Sequence, residues 1–139
     1  MAVRAGNPLG AFNANGLAVT PDGRALVVVQ TDTGRLFRIS PRDRSVAPID
    51  LAGATVRNGD GIVLQGRTLY VVRNADATVS EVRLSGDLSR GRLVGTTTDP
   101  SFAFPTTAAL SGGRLLVVNS QFDRRATPGP FAVTSLPRP

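Results

Sequence analysis

Continuous apolar runs and stretches of alternating apolar and polar residues follow one another in a fixed order along this chain. The runs begin directly after three Gly-Arg pairs, whose arginines are Arg24, Arg67 and Arg114, so the pairs recur at intervals of 43 and 47 residues. A repeat of about 45 residues is the length of one four-stranded β-propeller blade. The spacing therefore predicts a repeat protein built from sheet modules.

Each repeat contains the same order of predicted strands. A short stretch rich in small residues comes first, and small residues suit the crowded axis of a propeller. The run after each Gly-Arg pair does not alternate, which predicts a second strand covered on both faces, whereas the third strand alternates with a period of two. The first strands are placed at 16–19, 61–64 and 107–110, the third at 35–39 and 78–84, and the outer ones at 45–51 and 92–98.

The predicted fold class is all-β, with no helix longer than a turn. We expect a β-propeller segment of about three four-stranded blades, half of a six-bladed propeller, whose last blade is incomplete because only a strand at 131–136 follows its second strand. The predicted units are a linker and the tail of a missing blade at 1–14, blades at 15–58 and 59–104, and a partial blade at 105–139. Open blade faces would expose apolar patches, so we expect self-association, in one form a homodimer that closes a six-bladed ring.

The amino-acid composition excludes several kinds of catalytic and binding site. The 139 residues include no cysteine and no histidine, which removes thiolates and the commonest general base and metal ligand. The net charge of +6 comes entirely from arginine, but aspartates interleave with the arginines and there is one tyrosine, so no nucleic-acid interface is expected. No apolar run is long enough to span a membrane. As written the chain is expected in the cytoplasm, or outside the cell if a missing N-terminal half carried a signal.

Two dipeptides precede the first two inner strands in register with the repeat. Asn15-Gly16 and Asp60-Gly61 are 45 residues apart, and Thr106 takes the equivalent position in the third unit. Oxygen-bearing side chains from different blades that converge on one channel suit a hard cation such as Ca²⁺. The alternative is that Asn-Gly and Asp-Gly are simply strong turn signals that need no metal.

Aromatic and basic residues near these positions have more than one interpretation. Phe102 and Phe104 flank Pro105 on the approach to the third inner strand, where they either cap the channel mouth and bind an apolar substrate or pack between blades. We predict that Phe104 and Thr106 bind a small-molecule substrate. The arginines of the Gly-Arg pairs are predicted to form a solvated rim or ion pairs, and the core between blades is predicted to contain Ile39, Val46, Ile49, Leu51, Val82, Leu84 and Val94.

The segments 15–24, 33–39 and 59–62 together resemble the regucalcin/gluconolactonase family. The resemblance covers about residues 13–119, essentially the back half of a family member. It implies a six-bladed, metal-dependent propeller with hydrolase chemistry of the lactonase or esterase kind.

In that family an Asn-Gly and an Asp-Gly open successive inner strands, and the Asn and Asp hold a divalent metal. The resemblance therefore implies that Asn15 and Asp60 are metal ligands and that Asp60 is also the general base. Calcium is the first choice of metal, with zinc and manganese as alternatives. The family's other two ligands come from blades that this chain lacks, so metal binding by the chain alone is expected to be weak. A non-catalytic segment that serves as a binding or assembly scaffold is the alternative function.

Overall fold

The computed structural model describes residues 13–126 and 129–138, which form three antiparallel sheets. The first sheet has β1 (Ala14–Val19), β2 (Leu26–Gln30), β3 (Arg35–Ile39) and β4 (Val46–Ile49), and the second has β5 (Gly59–Gln65), β6 (Thr68–Arg73), β7 (Thr78–Leu84) and β8 (Gly91–Thr97). The third has only β9 (Pro105–Ser111), β10 (Arg114–Asn119) and β11 (Ala132–Pro137). The predicted all-β propeller segment with an incomplete last blade is confirmed.

The first strand of each sheet lies next to the first strand of the following sheet, which is the arrangement of blades around a propeller axis. β1 lies against β5, and β5 against β9. Each pair of neighbouring sheets encloses a cluster of buried aliphatic side chains. The first cluster includes Val27, Leu36, Leu69 and Val82, and the second includes Tyr70, Val72, Leu115 and Val117. Burial of these faces between sheets explains why the second strands of the repeats do not alternate.

Two glycines set the distance between neighbouring inner strands. A β carbon on Gly16 of β1 would collide with the main-chain oxygen of Asp60, and one on Gly61 of β5 would stand 2.6 Å from Cα of Thr107. Real β carbons do not approach other atoms so closely, because the repulsion is prohibitive. The two blade contacts therefore require glycine. In the third unit the equivalent position is Thr107.

All three inner strands contain a β-bulge at the same place. In β1 the register with β2 shifts between Ala14 and Leu17, and in β5 the register with β6 shifts between Gly59 and Ile62. In the third sheet the shift falls between Val118 and Asn119, opposite Thr106. Each bulge adds one unpaired residue to the inner strand and re-aims the side chains beside it.

Some details differ from the sequence-based expectations. The outer strand of the first sheet, β4, is Val46–Ile49 and is shorter than the predicted 45–51. The outer strand of the second sheet, β8, is Gly91–Thr97 and is shifted by one residue from the predicted 92–98. Val94 was expected in the core but is 38% exposed, because the outer strand of the second sheet is covered on only one face. A short 3₁₀ helix at Phe122–Arg124 lies between β10 and β11. Most of the predicted linker at 1–14 lies outside the described residues.

None of the helical structure in the described ranges is long and apolar enough to cross a membrane.

Candidate functional site

The bulges place Asn15 and Asp60 within strands rather than in turns. Asn15 and Asp60 are each the second residue of their inner strand. In each bulge this residue and the glycine after it lie together opposite a single residue of the second strand. The hairpin turns that join first and second strands lie at the far ends of these strands. The interpretation of the two dipeptides as hairpin turns is therefore not supported by the backbone.

Asn15 is anchored through a threonine that also reaches the next blade. The Asn15 side chain donates from Nδ2 to Oγ1 of Thr31, over 3.2 Å, and the Thr31 hydroxyl donates to the Gly59 carbonyl, over 2.8 Å. Thr31 is 7% exposed, and its bond with the Gly59 carbonyl is buried, whereas the bond from the exposed Asn15 side chain is only partly buried. This chain of bonds ties the amide in the first blade to the backbone just before Asp60.

Asp60 is half-buried, and its carboxylate is surrounded by amides instead of cations. Oδ2 of Asp60 accepts a hydrogen bond from Nδ2 of Asn74, over 3.1 Å. Burial raises the pKa of Asp60 above its usual range, while hydrogen bonds with the side chains of Asn74 and Asn15 act in the opposite direction. The influence of Asn15 on this pKa, together with the contact of Gly16 with the Asp60 main chain, indicates that the two residues lie close together across the blades. A half-buried carboxylate with a raised pKa is a typical general base.

Thr106 and Phe104 lie at the same end of the third blade. The carbonyl oxygen of Thr106 stands 2.7 Å from the place where a β carbon on Gly61 would be, so the Thr106 main chain adjoins the residue after Asp60. Phe104 does not belong to the buried cluster between blades, whereas Phe102 packs against that cluster. The Phe104 ring instead contacts Phe122, with centroids 6.3 Å apart. The two phenylalanines that the sequence left ambiguous thus have different surroundings.

The sequence reasoning missed Thr31 and Asn74. Both residues directly follow the second strand of their blade, β2 and β6, and the strand pairing brings those ends beside Asn15 and Asp60. Their equivalence in the repeat was the signal that could have found them. Ser120 is their counterpart after β10, and its hydroxyl donates to the Phe104 carbonyl, over 2.9 Å.

The residues at this end meet only some of the needs of a divalent cation. Asp60 supplies a carboxylate and Asn15 an amide oxygen, which are the donor types that calcium prefers. Within residues 13–126 and 129–138 there is no cluster of three or more acidic side chains that could hold a metal ion. The donor set fits a hard cation in chemical type, but one negative charge and few ligands imply low affinity.

A separate cleft of about 240 Å³ lies at the opposite end of the first two blades, among the hairpin turns. Arg24 and Arg67 line it together with Asp22 and Asp87. Arg24 is 3.9 Å from Asp22, and its side chain is 87% exposed. Arg114, the third arginine of the repeat, donates to Ser135 instead. The cleft lies away from Asn15 and Asp60.

Comparisons with known proteins give similarity of fold. No known protein family and no curated protein matches the sequence. Among solved structures, hydrazine synthase from Kuenenia stuttgartiensis superposes with a TM-score of 0.64 at 18% identity over 90% of this chain and 45% of that chain. A luciferin-regenerating enzyme superposes with a TM-score of 0.61 at 18% identity, over 84% of this chain and 41% of that chain.

A candidate 6-phosphogluconolactonase from Bacteroides fragilis NCTC 9343 gives a TM-score of 0.61 at 19% identity, over 90% of this chain and 38% of that chain. The present chain thus spans 38 to 45% of the length of these three structures. At such low identities the similarity concerns the fold. The chain has the architecture of a propeller segment that corresponds to less than half of each of these proteins.

Proposed function

We propose that this chain is one half of a metal-dependent lactone or ester hydrolase of the regucalcin/gluconolactonase type. The observation that carries the proposal is the meeting of Asn15 and Asp60 from neighbouring blades, at bulges that occupy equivalent positions in the repeat. The similarity in fold to a candidate 6-phosphogluconolactonase and a luciferin-regenerating enzyme supports it.

In this proposal Asp60 moves the proton and Asn15 helps to orient the site. The Asp60 carboxylate accepts a proton from a water molecule whose oxygen attacks the carbonyl carbon of the substrate. Asp60 then returns that proton to the leaving oxygen as the bond between the carbonyl carbon and that oxygen breaks. A divalent cation held by Asn15 and Asp60 would polarise the carbonyl group and stabilise negative charge on its oxygen. The raised pKa of Asp60 makes its carboxylate a stronger base than an exposed aspartate.

Calcium titration of the full chain tests this proposal. Calcium that binds the folded state should raise the melting temperature, and Asp60→Ala should remove the shift. Asp43→Ala is the matched control, because Asp43 lies in the turn between β3 and β4 and should leave the calcium shift intact. If Asp60→Ala retains the shift seen in the unsubstituted chain, or if calcium, zinc and manganese all leave the melting temperature unchanged, the proposed metal site is wrong.

The second candidate function is a non-catalytic assembly segment, and the exposed face of the third sheet favours it. Val118 and Val133 are paired across β10 and β11 and are 39% and 58% exposed, and Phe131 is 73% exposed. Exposed apolar residues grouped in this way are typical of an interaction surface. A homodimer that closes a six-bladed ring is the specific form proposed.

Thr107 sets a condition on such a ring. The two contacts between blades within the chain require glycine at the equivalent positions, so a further blade cannot approach β9 as closely. Thr107→Gly should therefore raise the dimer fraction measured by size exclusion with light scattering, whereas Ala109→Gly on the same strand should not. If both the unsubstituted chain and Thr107→Gly are monomers at high concentration, the ring is excluded.

A further inference from the structure

One connection of the third blade is much longer than its counterparts. The second and third strands are joined by residues 31–34 in the first sheet and 74–77 in the second, but by residues 120–131 in the third. Strand pairing puts all three connections at the end where Asn15, Asp60 and Thr106 lie. Long connections in compact domains are commonly functional. We define the described part of the third connection next to β10, residues 120–126, as the third-blade loop.

A buried glutamine connects the third-blade loop to two neighbouring segments. Gln121 is 6% exposed, and its side chain donates to the Pro130 carbonyl over 2.9 Å and accepts from the Gly129 amide over 2.8 Å. Its own amide donates to the Ala103 carbonyl, over 3.1 Å. These bonds join the loop to the residues just before β11 and to those just before β9.

Phe104 is held beside this loop in a strained backbone conformation. Its φ is 51°, in the left-handed region, which bulky residues rarely adopt. The equivalent position in the second blade is Asn58, with a φ of 62°, and asparagine tolerates that region. The Ser120 amide and hydroxyl both donate to the Phe104 carbonyl and hold it in place. The two bonds from Ser120 thus hold an aromatic residue in a conformation that asparagine adopts more readily.

Phe104, Phe122 and Arg125 form a surface with an apolar part and a cationic part. The two rings are tilted by 43°, and Phe122 is 53% exposed. The Arg125 guanidinium lies 4.8 Å from the centroid of the Phe122 ring, and no carboxylate of the described residues pairs with it. A guanidinium stacked on a ring keeps its outward N–H groups, whose fork matches a carboxylate.

We propose that Phe104, Phe122 and Arg125 recognise small carboxylates with a flat apolar body. The flat body lies against the rings, and the carboxylate accepts hydrogen bonds from Arg125. The inference rests on the proposed function in one respect, because it names the substrate class of that site as aryl or unsaturated esters and lactones that carry a carboxylate. Binding itself requires neither Asp60 nor a metal.

Benzoate and benzyl alcohol are the probes, with binding to the full chain followed by NMR. Benzoate should bind about tenfold more tightly than benzyl alcohol, and Arg125→Gln should remove that difference. Phe122→Ala should weaken both probes. Arg124→Gln is the matched control, since Arg124 is adjacent, has the same charge and is paired with Asp123 at 3.6 Å. These side chains are exposed, so the variants should fold, as checked by thermal unfolding. Equal binding of the two probes, or equal losses in Arg124→Gln and Arg125→Gln, would overturn the inference.

A second measurement separates this inference from the proposed function. Asp60→Asn should bind benzoate as the unsubstituted chain does, and the unsubstituted chain should hydrolyse 4-carboxyphenyl acetate faster than phenyl acetate, with the preference lost in Arg125→Gln. If benzoate binding depends on Arg125 but calcium, zinc and manganese all leave the melting temperature unchanged, the metal site of the proposed hydrolase is wrong and the recognition surface stands. If hydrolysis depends on Asp60 but shows no preference for the carboxylate, the recognition surface is wrong and the hydrolase proposal stands.

Discussion

Gly61 of the second blade approaches Thr107 of the third so closely that a β carbon on the glycine would stand 2.5 Å from the threonine Oγ1. The contact joins two inner strands, and Gly16 makes the equivalent contact with the main chain of Asp60. The inner strands thus lie so close together that no side chain fits at positions 16 and 61. The same glycines follow Asn15 and Asp60, so the spacing of the blades and the position of the candidate site depend on one structural element.

Gly61→Ala is expected to lower the free energy of unfolding by roughly 1–3 kcal/mol or more, because the added methyl group must force two strands apart. Gly95→Ala is the control. Gly95 lies on β8, where an added β carbon would meet nothing within 4 Å, so this change should leave stability unchanged or raise it by about 0.5 kcal/mol. Urea unfolding of both variants measures the difference, and equal stabilities would contradict the contact.

Thr31→Val is expected to cost about 1–3 kcal/mol, because it leaves the Gly59 carbonyl without its buried donor and Asn15 without its acceptor. Thr31→Ser keeps the hydroxyl and should recover most of the loss. Chemical denaturation of the two variants gives the comparison. A serine variant as unstable as the valine variant would show that packing of the methyl group, and not the hydrogen bonds, is what matters at this position.

Asp60 should make the protein less stable as the pH rises. Its pKa is raised in the folded state, so between the ordinary carboxyl pKa and the raised value the folded chain holds more protons than the unfolded chain. The favourable contribution is complete below the unfolded pKa and is lost as the pH rises through the folded pKa. Asp60→Asn should therefore gain stability relative to the unsubstituted chain at pH 7, and the gain should shrink towards pH 3. Melting temperatures across this range test the sign, and a gain that grows on acidification would contradict it.

Asp43 should act in the opposite sense. Hydrogen bonds from the Ser40 and Ser45 side chains and from the Ser45 amide hold the pKa of Asp43 at about 2. Its contribution is present above the unfolded pKa of about 3.9 and disappears as the pH falls through the folded value. Asp43→Asn should therefore be less stable than the unsubstituted chain at pH 7, and the two should converge near pH 2. Carbon-detected NMR titration of the carboxyl group measures the pKa directly, and an ordinary value would remove the basis of the prediction.

The blade pattern could be predicted from sequence because it depends on local signals. Gly-Arg pairs mark the turns, and the apolar runs after them become β2, β6 and β10. The missing outer strand of the third sheet also followed from the pattern, since only one strand remains after β10. These features depend on alternation and turn chemistry within about ten residues, which a single sequence displays.

The bulges and the third-blade loop could not be predicted in the same way. One extra residue in a strand of small side chains barely alters its alternation, so Asn15-Gly16 also resembled a turn. The contact of Phe104 with Phe122 depends on how a long connection folds back, and no local rule specifies that path. The neighbours of Asp60 were missed for a related reason, because Asn74 reaches it only through the pairing of β5 with β6.

The recurrence of one bulge in all three inner strands separates the part of the molecule that must stay constant from the part that is free to vary. The register shift recurs in each blade, while the residue at the bulge, at 15, 60 or 106, is asparagine, aspartate or threonine. An exchange at one of these positions should therefore change the chemical group carried by that blade while the strand pairing is kept. Thr106 is the natural place to add a second negative charge.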